Sequence, residues 1–547
     1  MPTPPIDPVL SGRFKAAIER CLREGYAPFR MSGGRGSSVH AAAKQLGITK
    51  HRLNSWLDTQ LKKQDKGEEN FVPDWTLFNR SGSTHAEARV RQARRFLLTA
   101  AQNDTAIHDQ FWINLKSYSD QIGAKIEVAP FTYQLAMFTD HSTRANVFAE
   151  PVRDYLTFES TECGPVVFCA EMNTLPTATR PLSGLHSYTR GRWGVFPHAK
   201  LALETVPAMP GKFPPIIMTT GCCTIENYIP KKAGLKAAFH HVIGATLVEI
   251  DAQGRQFCRQ INAMEDGSFQ DLDCVVHEGR VTPGKRVMAI NWGDLHARKM
   301  DPKVEVAAWT GVDSMIDVLR PSYQFYHDLF DGDSVSRFLD EQPHKRYELH
   351  VQGKLDVADE VKHAAEFIRK TQREFCKTVI VESNHDVWIE RWLQRKTDTW
   401  QDLTNAEAYH RWNLAALAAR RMGDKSFSVF RHVLREADSN DLEGIEFVPI
   451  GASFEICKER GGIECGAHGH LGPDGARGTT NNLSRIAVKI NKGHDHKAGI
   501  TDGVFSAGVC GPNPDLQRGP NSWTPSHILT YPNAKRSIVT MQDGWRA

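Results

Sequence analysis

Residues 287–296 read VMAINWGDLH, an apolar run that ends in Gly293, Asp294 and His296. The apolar part predicts a buried β-strand, and the polar residues fall where a strand gives way to a turn. Because side chains alternate along a strand, Asp294 and His296 point the same way. The stretch therefore predicts a strand that brings one oxygen ligand and one nitrogen ligand to a common point.

Four further polar clusters follow in the same half of the chain. They are His327-Asp328 after the apolar run 323–326, residues 383–386 (SNHD) after the apolar run 378–381, residues 466–470 (GAHGH), and residues 493–496 (GHDH). Any one of these clusters is typical of an ordinary turn or a satisfied polar residue. Five of them in order predict one shared site.

This ordered series resembles the calcineurin-like metallophosphoesterases, whose pattern is D-x-H, G-D, G-N-H-D or E, a lone H, and G-H-x-H. The likeness covers roughly residues 285 to 510. It implies an α/β fold with a calcineurin-like two-sheet sandwich flanked by helices. Two positions depart from the pattern, since His327 stands where the family usually has Gly and Ser383 replaces the Gly before Asn384. Neither departure removes a metal ligand.

The resemblance implies a site for two divalent metal ions. One ion would take Asp294, His296, His496 and a shared Asp328, and the other would take Asp328, Asn384, His468 and His494. Cations about 3.5 to 4 Å apart can hold a phosphate and generate hydroxide near neutral pH. Mn²⁺ suits these mixed oxygen and nitrogen ligands best, with Zn²⁺, Fe and Mg²⁺ as alternatives. His385 would bind no metal and would act as the catalytic charge stabiliser or proton donor to the leaving oxygen.

Two of the assigned ligands have competitors. Residues 327–333 offer three carboxylates, and Asp333 follows Gly332 as in the family's G-D pair. Asp328 is favoured as the bridge because it directly ends the apolar run, whereas Asp333 would place two acidic residues inside a buried strand. His470 competes with His468, which is favoured because the resembling family often shows a single His followed by Gly.

The eleven cysteines have no regular spacing. In a large chain this predicts reduced thiols rather than a disulfide framework. A competing zinc site would use Cys457, Cys465, His468 and His470, but these residues lack a paired C-x-x-C arrangement. Structural thiols are therefore the favoured interpretation.

Residues 1–66 form a basic module, with twelve Lys and Arg against five Asp and Glu, whereas the whole chain has a net charge of only +3. Residues 39–57 read VHAAAKQLGITKHRLNSWL and resemble a helix-turn-helix with Gly47 in the turn. This pattern leaves five side chains for DNA binding: Thr49, Lys50, His51, Arg52 and Asn54. Helical hairpins of this kind also occur as structural or protein-docking units, so that alternative stays open.

The chain is too long for one hydrophobic core, which predicts several domains. The expected order is a basic helix-turn-helix-like domain (1–66), a linker or arm (67–93), a separate α/β accessory domain (94–280) and the catalytic domain (281–547) with a helical insertion at about 400–438. No apolar stretch approaches the roughly 20 residues needed to span a bilayer, and the first residues lack an export signal. We therefore expect no membrane partner and a cytoplasmic location.

The function predicted from these features is metal-dependent hydrolysis of phosphodiesters. The likeness is to the branches of the family that repair double-strand breaks or degrade DNA in phage infection, and the basic module makes DNA the expected partner. A phosphatase or small-molecule phosphodiesterase is the first alternative. A DNA-binding regulator with a catalytically silent fold is the second. The oligomeric state stays open, and a homo-oligomer is compatible with each of these functions.

Overall fold

The structure is a computed structural model that describes residues 8–23, 38–66, 71–73, 89–90, 94–133, 147–339, 341–395, 402–438, 442–511 and 519–547. Contacts within the chain divide it into two compact units, Met1–Arg89 and Val90–Ala547. Among the helices of the described residues, none combines the length and the apolar character needed to cross a membrane.

The first unit contains three described helices, α1 (Pro8–Arg23), α2 (Ser38–Gln45) and α3 (Lys50–Asp65). Gly47 adopts a φ of 65° in the turn between α2 and α3, a conformation that glycine takes without steric cost. Leu53 and Trp56 of α3 are buried in the apolar core of this unit, and Ile48 is half-buried against it. The helix, turn and helix over residues 38–65 thus have the form that the sequence predicts.

The second unit has a mixed α/β architecture, which confirms the α/β class that the sequence predicts. Its described α-helices are α4 (Asp109–Ile122), α5 (Lys232–Phe239), α6 (Pro302–Glu305), α7 (Met315–Leu319), α8 (Pro343–Val351), α9 (Val357–Thr371), α10 (Trp388–Leu393), α11 (Ala406–Met422), α12 (Val429–Ala437) and α13 (Thr480–Leu483). Helices α11 and α12 occupy the segment 400–438 where a helical insertion is expected.

The described strands form four sheets. They are β1 (Arg89–Val90), β2 (Arg95–Gln102), β3 (Lys125–Phe131), β4 (Thr161–Cys163), β5 (Val166–Phe168), β6 (Trp193–Phe196), β7 (Leu203–Thr205), β8 (Ile216–Thr219), β9 (Gly244–Ile250), β10 (Gln256–Asn262), β11 (Phe269–Asp271), β12 (Cys274–His277), β13 (Arg280–Thr282), β14 (Ala289–Asn291), β15 (Tyr323–Tyr326), β16 (Lys377–Val381), β17 (Glu446–Val448), β18 (Glu455–Ile456), β19 (Ile463–Glu464), β20 (Ile490–Lys492), β21 (Gly499–Thr501), β22 (Val504–Ser506), β23 (Ser526–Thr530) and β24 (Arg536–Thr540).

A six-stranded sheet positions the candidate site. Its order is β17-β16-β15-β14-β23-β24, in which β14 to β17 are parallel and β23 is antiparallel to both of its neighbours. Because parallel strands end at the same edge of a sheet, the segments after β14, β15 and β16 emerge side by side. The strand ends that carry three of the predicted clusters are therefore adjacent.

An eleven-stranded sheet packs against one face of the six-stranded sheet. Its order is β1-β4-β5-β6-β8-β7-β21-β22-β20-β19-β18. Phe325 and Val379 of the six-stranded sheet share an apolar cluster with Ile456 and Ile463 of the larger one. The opposite face of the six-stranded sheet packs on helices, for example through Tyr326. Burial of both faces explains why its parallel strands read as continuous apolar runs.

Residues 94–280, which the sequence predicts as a separate accessory domain, share their sheets and core with the rest of the second unit. In the eleven-stranded sheet β7 pairs with β21, with Leu203 opposite Ile500. The four-stranded sheet, of order β10-β9-β2-β3, lies beside β24, where Asn262 donates a hydrogen bond to the Arg536 carbonyl (2.7 Å). Pairing between distant segments removes exposed sheet edges, and local sequence patterns do not reveal it. Most of the expected linker 67–93 lies outside the described residues.

Candidate metal centre

The segments after β14 and β15 stay paired beyond the ends of their strands. Leu295 donates its backbone N–H to the His327 carbonyl (2.9 Å), and His296 donates to the Asp328 carbonyl (2.8 Å). On the other side, the Asp294 N–H bonds the Gly508 carbonyl (3.0 Å). These bonds fix the backbone that carries the first two clusters, so His296 is held directly beside Asp328.

The eleven-stranded sheet supplies the last two clusters. His468 follows β19, while His494 and His496 follow β20. The backbone N–H of His494 bonds Asp294 Oδ2 (2.7 Å). A Cβ at Gly493 would lie 2.2 Å from Asp294 Oδ1, so only glycine permits this close approach.

The predicted ligands form two groups that share Asp328. One contains His296, Asp328 and His496, the other contains Asp294, Asp328 and His468, and within each group the potential ligand atoms all lie within 4.8 Å of one another. Asp328 Oδ2 is 3.8 Å from His296 Nε2 and 4.0 Å from His496 Nε2, whereas Oδ1 is 3.4 Å from His468 Nε2. The two oxygens of one carboxylate therefore face different halves of the cluster.

Asn384 and His494 lie next to the second group. Asn384 Oδ1 is 3.0 Å from His468 Nε2. The half-buried His494 ring has its centroid 5.1 Å from that of His468. All seven side chains assigned as ligands in the sequence are thus neighbours at one end of the two packed sheets.

The competing assignments occupy different positions. Asp333 pairs with Lys299, with Nζ 2.8 Å from the carboxylate, and it belongs to neither group. His470 lies 5.4 Å from His468 between ring centroids and is also outside both groups. Cys457 and Cys465 pack in the apolar cluster between the two sheets, which fits structural thiols. The geometry favours Asp328 over Asp333 and His468 over His470.

Buried and unpartnered oxygens show that the residues fit divalent cations. Asp294 and Asp328 are both fully buried, and Asp294 Oδ1 and both Asp328 oxygens have no hydrogen-bond partner among the described residues. Buried carboxylates without compensation are costly, and cations with oxygen and nitrogen ligands provide that compensation. Burial, followed by the nearby charge of Asp328, raises the pKa of Asp294 well above its ordinary value. Burial alone would also raise the pKa of Asp328, but His468 and the other histidines hold it well below.

The backbone at the ligands is unusual. Four of the seven have positive φ, namely His296 (46°), Asp328 (47°), His494 (71°) and His496 (55°). A non-glycine residue in this region costs of order 1–3 kcal/mol and persists where surrounding structure over-determines it, typically at functional sites. Positive φ at four of the seven candidate ligands therefore distinguishes this cluster from a set of ordinary polar turns.

His385 lies at the same site without joining either group. Its Nδ1 is 2.8 Å from the Asp331 carbonyl. Because a carbonyl only accepts, Nδ1 carries the proton of this bond, and Nε2 is left for another partner. The ring packs edge-on to His296 at 4.8 Å between centroids.

Asp331 has a role that its position in the sequence does not reveal, where it is only one of three carboxylates near the predicted bridge. Asp331 Oδ1 lies 3.2 Å from His296 Nδ1, on the side of the ring away from Asp328. Burial alone would lower the pKa of His296, but Asp331, followed by Asp328 and Asp294, raises it to about 9. Asp331 therefore orients a ligand with its side chain and His385 with its carbonyl, as outer carboxylates do at histidine metal sites.

The five side chains predicted to bind DNA belong to the first turns of α3 and the residue before it. Thr49, His51 and Arg52 are exposed, Asn54 is half-buried, and the side chain of Lys50 lies outside the described residues. The Arg52 N–H bonds Thr49 Oγ1 (3.3 Å), so Thr49 caps the helix. The exposed residues are available for an external partner.

The fold and the site define an α/β protein with an acidic and histidine cluster that could hold metal ions. The chain is 35% identical over 486 residues to Protein A1 of Escherichia phage T5, and the match covers 84% of each protein. This chain belongs to the same family as that phage protein. No family profile matches the chain. No solved structure matches it either.

Proposed function

We propose that this protein is a metal-dependent phosphodiesterase of the calcineurin-like type that cleaves DNA. The observation that carries the proposal is the position of Asp328, whose two carboxylate oxygens face two separate sets of ligands. A shared carboxylate between two cation sites is the arrangement that two-metal phosphoester hydrolysis requires. A single structural metal site would not need a bridging residue.

The surrounding fold supports the same proposal. Two packed sheets, helices on the outer face of one of them and candidate ligands at the ends of parallel strands support the two-sheet sandwich that the resemblance implies. Ligands on segments that follow rigid strands are held with the precision that catalysis needs. All seven ligands and His385 are present together, which disfavours a catalytically silent protein.

The chemistry divides between bound cations and the protein's own side chains. Cations held by the seven ligands would supply Lewis acidity to the phosphate and activate water for attack. Asp294 and Asp328 place negative charge where the cations would sit, and His296 and His496 complete one side of the cluster. His385 keeps its Nδ1 proton on the Asp331 carbonyl and offers Nε2 to the substrate, where the protonated ring would give a proton to the leaving oxygen.

DNA is the proposed substrate because of the first unit. A basic helix-turn-helix-like module with exposed Thr49, His51 and Arg52 suits a nucleic-acid partner better than a small metabolite.

The experiment that tests the proposal incubates the purified protein with supercoiled, linear and single-stranded DNA, with and without Mn²⁺. We expect Mn²⁺-dependent cleavage that is lost in Asp294→Ala and reduced about 10²- to 10⁴-fold in His385→Ala, the usual contribution of a general acid. His385→Ala should still bind metal, since His385 is outside both ligand groups. Hydrolysis of bis-p-nitrophenyl phosphate without any DNA cleavage would instead show a small-molecule phosphodiesterase.

A further inference from the structure

A second cavity, of about 690 Å³, lies apart from the candidate metal centre, and none of the seven candidate ligands lines it. Its walls come from the end of α5, the turn between β21 and β22, the segment before β20 and the start of β24. The charged side chains lining it are Lys200, Lys489, Lys535, Arg536 and Asp502. Four cations against one carboxylate make this a strongly basic cavity for an anion to enter.

Arg536 forms the floor of the cavity and has an unusual set of partners. The residue is only 6% exposed, and its guanidinium donates hydrogen bonds to the carbonyls of Ile490 (2.9 Å) and Gly503 (2.7 Å) and to Asn491 Oδ1 (2.9 Å). The guanidinium carbon also lies 4.0 Å from the ring centroid of Phe505. These partners orient the guanidinium but none carries a negative charge. Because a buried arginine is normally neutralised by an anion, the Arg536 guanidinium could pair with an anion that binds in the cavity.

Two lysines, Lys489 and Lys535, add to the positive charge of this cavity. Burial, followed by the charge of Arg536, lowers the pKa of Lys489, and burial, followed by the charge of Lys489, lowers the pKa of Lys535. Burial is the larger cause of each pKa shift and the neighbouring cation is the second, while the charge of Glu265 acts in the opposite direction on Lys535. An anion between the two lysines would relieve the repulsion between the cations. The cavity's one carboxylate, Asp502, offsets the charge of Lys200, since it lies 2.5 Å from Lys200 Nζ and 3.6 Å from His240 Nε2. It therefore does not offset the charges of Arg536, Lys489 and Lys535.

The cavity also has an aromatic side chain at its rim. Phe239 ends α5, lines the cavity and is 84% exposed. An exposed phenyl ring is a surface on which a nucleic-acid base can stack. The volume lies within the range of roughly 300 to 1,000 Å³ that is typical of small-molecule sites.

We propose that this cavity is a nucleotide-binding site, in which Arg536, Lys489 and Lys535 bind the phosphate and Phe239 stacks on the base. Ile490, Asn491 and Gly503 use three of the five guanidinium N–H groups, which leaves Nε–H and one hydrogen of Nη2 to bond two phosphate oxygens. The lysines supply further positive charge. The site is independent of the candidate metal centre, and its existence does not depend on the proposed DNA cleavage.

Calorimetric titration of the full chain with dAMP in EDTA tests this proposal, because the chelator removes cations that would otherwise bind phosphate. We expect one site, at least ten-fold weaker binding of deoxyadenosine, and at least ten-fold weaker binding of dAMP by the Lys489→Ala, Lys535→Ala double variant. Phe239→Ala should weaken dAMP but leave the affinity for inorganic phosphate unchanged. Lys212→Ala, at an exposed lysine outside the cavity, is the matched control and should bind dAMP normally.

A second measurement needs no variant. Bound dAMP should protect Lys489 and Lys535 from acylation by an N-hydroxysuccinimide ester, read by mass spectrometry, while Lys212 is labelled equally with and without dAMP. Absence of binding, absence of protection or unchanged affinity in the double variant would overturn the site. Equal affinity for dAMP and inorganic phosphate would overturn the nucleotide assignment, and so would at least ten-fold tighter binding of a single-stranded oligonucleotide, which would indicate a strand-binding site.

Discussion

Asp328 is the residue on which the candidate centre depends most, because it alone belongs to both ligand groups. We predict that Asp328→Asn reduces bound metal below two ions per chain and lowers phosphodiester hydrolysis by more than about 100-fold, since even outer partners of metal ligands are worth 10- to 100-fold. Inductively coupled plasma mass spectrometry and bis-p-nitrophenyl phosphate assays measure the two effects.

The matched control for this prediction is Asp333→Asn. Asp333 is the competing carboxylate in the sequence, but in the structure it forms an ion pair with Lys299 and belongs to neither ligand group. Metal content and turnover should therefore stay within a few-fold of the parent protein. If Asp333→Asn loses metal and Asp328→Asn does not, the bridging assignment is wrong.

Asp331 allows a second prediction at the residue scale. Asp331→Asn keeps the carbonyl that bonds His385 but removes the negative charge beside His296 Nδ1. We expect metal affinity to fall about 10- to 100-fold, as is usual for the outer partner of a histidine ligand. Competition with a metal-sensitive dye measures the affinity. Because His385 keeps its partner, activity at saturating metal should recover most of its value, and a failure to recover would mean that Asp331 does more than position His296.

At the scale of elements, the strand ends were predictable and the sheet partners were not. Asp294, Asp328 and Asn384 follow apolar runs that local periodicity identifies as strands, and parallel strands bring their ends together. Local periodicity predicts single strands and helices but not their partners in a sheet. It could not show that β7 pairs with β21, because such pairing depends on which distant edge is free. The role of Asp331 was equally hidden, since it arises from a backbone carbonyl and the folded path of the loop.

A buried ion-pair cluster joins the four-stranded sheet to the three-stranded sheet of β11, β12 and β13, and it carries a prediction about stability. Arg259 on β10 pairs with Glu249 on β9 and with Asp271 on β11 (Nε to Oδ1 2.6 Å), and all three side chains are at most 8% exposed. Arg259→Ala leaves two buried carboxylates without this cation, so we expect the free energy of unfolding to fall by about 3–5 kcal/mol. Denaturant unfolding measures it. The control is Lys362→Ala, which removes a surface ion pair with Glu366 in which both side chains are 65% exposed. This change should alter the free energy of unfolding by no more than about 0.5 kcal/mol.

The same cluster determines whether the free energy of unfolding rises or falls with pH in the acid range. Burial alone would raise the pKa of Glu249, but Arg259 and then Arg95 lower it below its ordinary value. Its ionised form therefore stabilises the fold above the unfolded-state pKa of about 4.3, and this contribution is lost as the pH falls through the lower folded-state pKa. Unfolding followed from pH 7 downward should show a smaller loss of stability with acid in Arg259→Ala than in the parent protein. An equal loss in both would contradict the assignment to this pair.

For the whole molecule, the proposal separates the unit that contacts DNA from the unit that performs hydrolysis. Arg52→Ala removes an exposed cation near the start of α3, far in sequence from every metal ligand. We predict weaker DNA binding at all sequences and a salt dependence reduced by about one counterion, as for loss of one phosphate contact. Hydrolysis of bis-p-nitrophenyl phosphate should be unchanged, because this small diester needs only the metal centre. Fluorescence anisotropy across a range of salt concentrations measures the binding. Lys62→Ala, at the other end of the same helix, is the control, and equal effects of both changes would show general charge attraction instead of a helix-turn-helix contact.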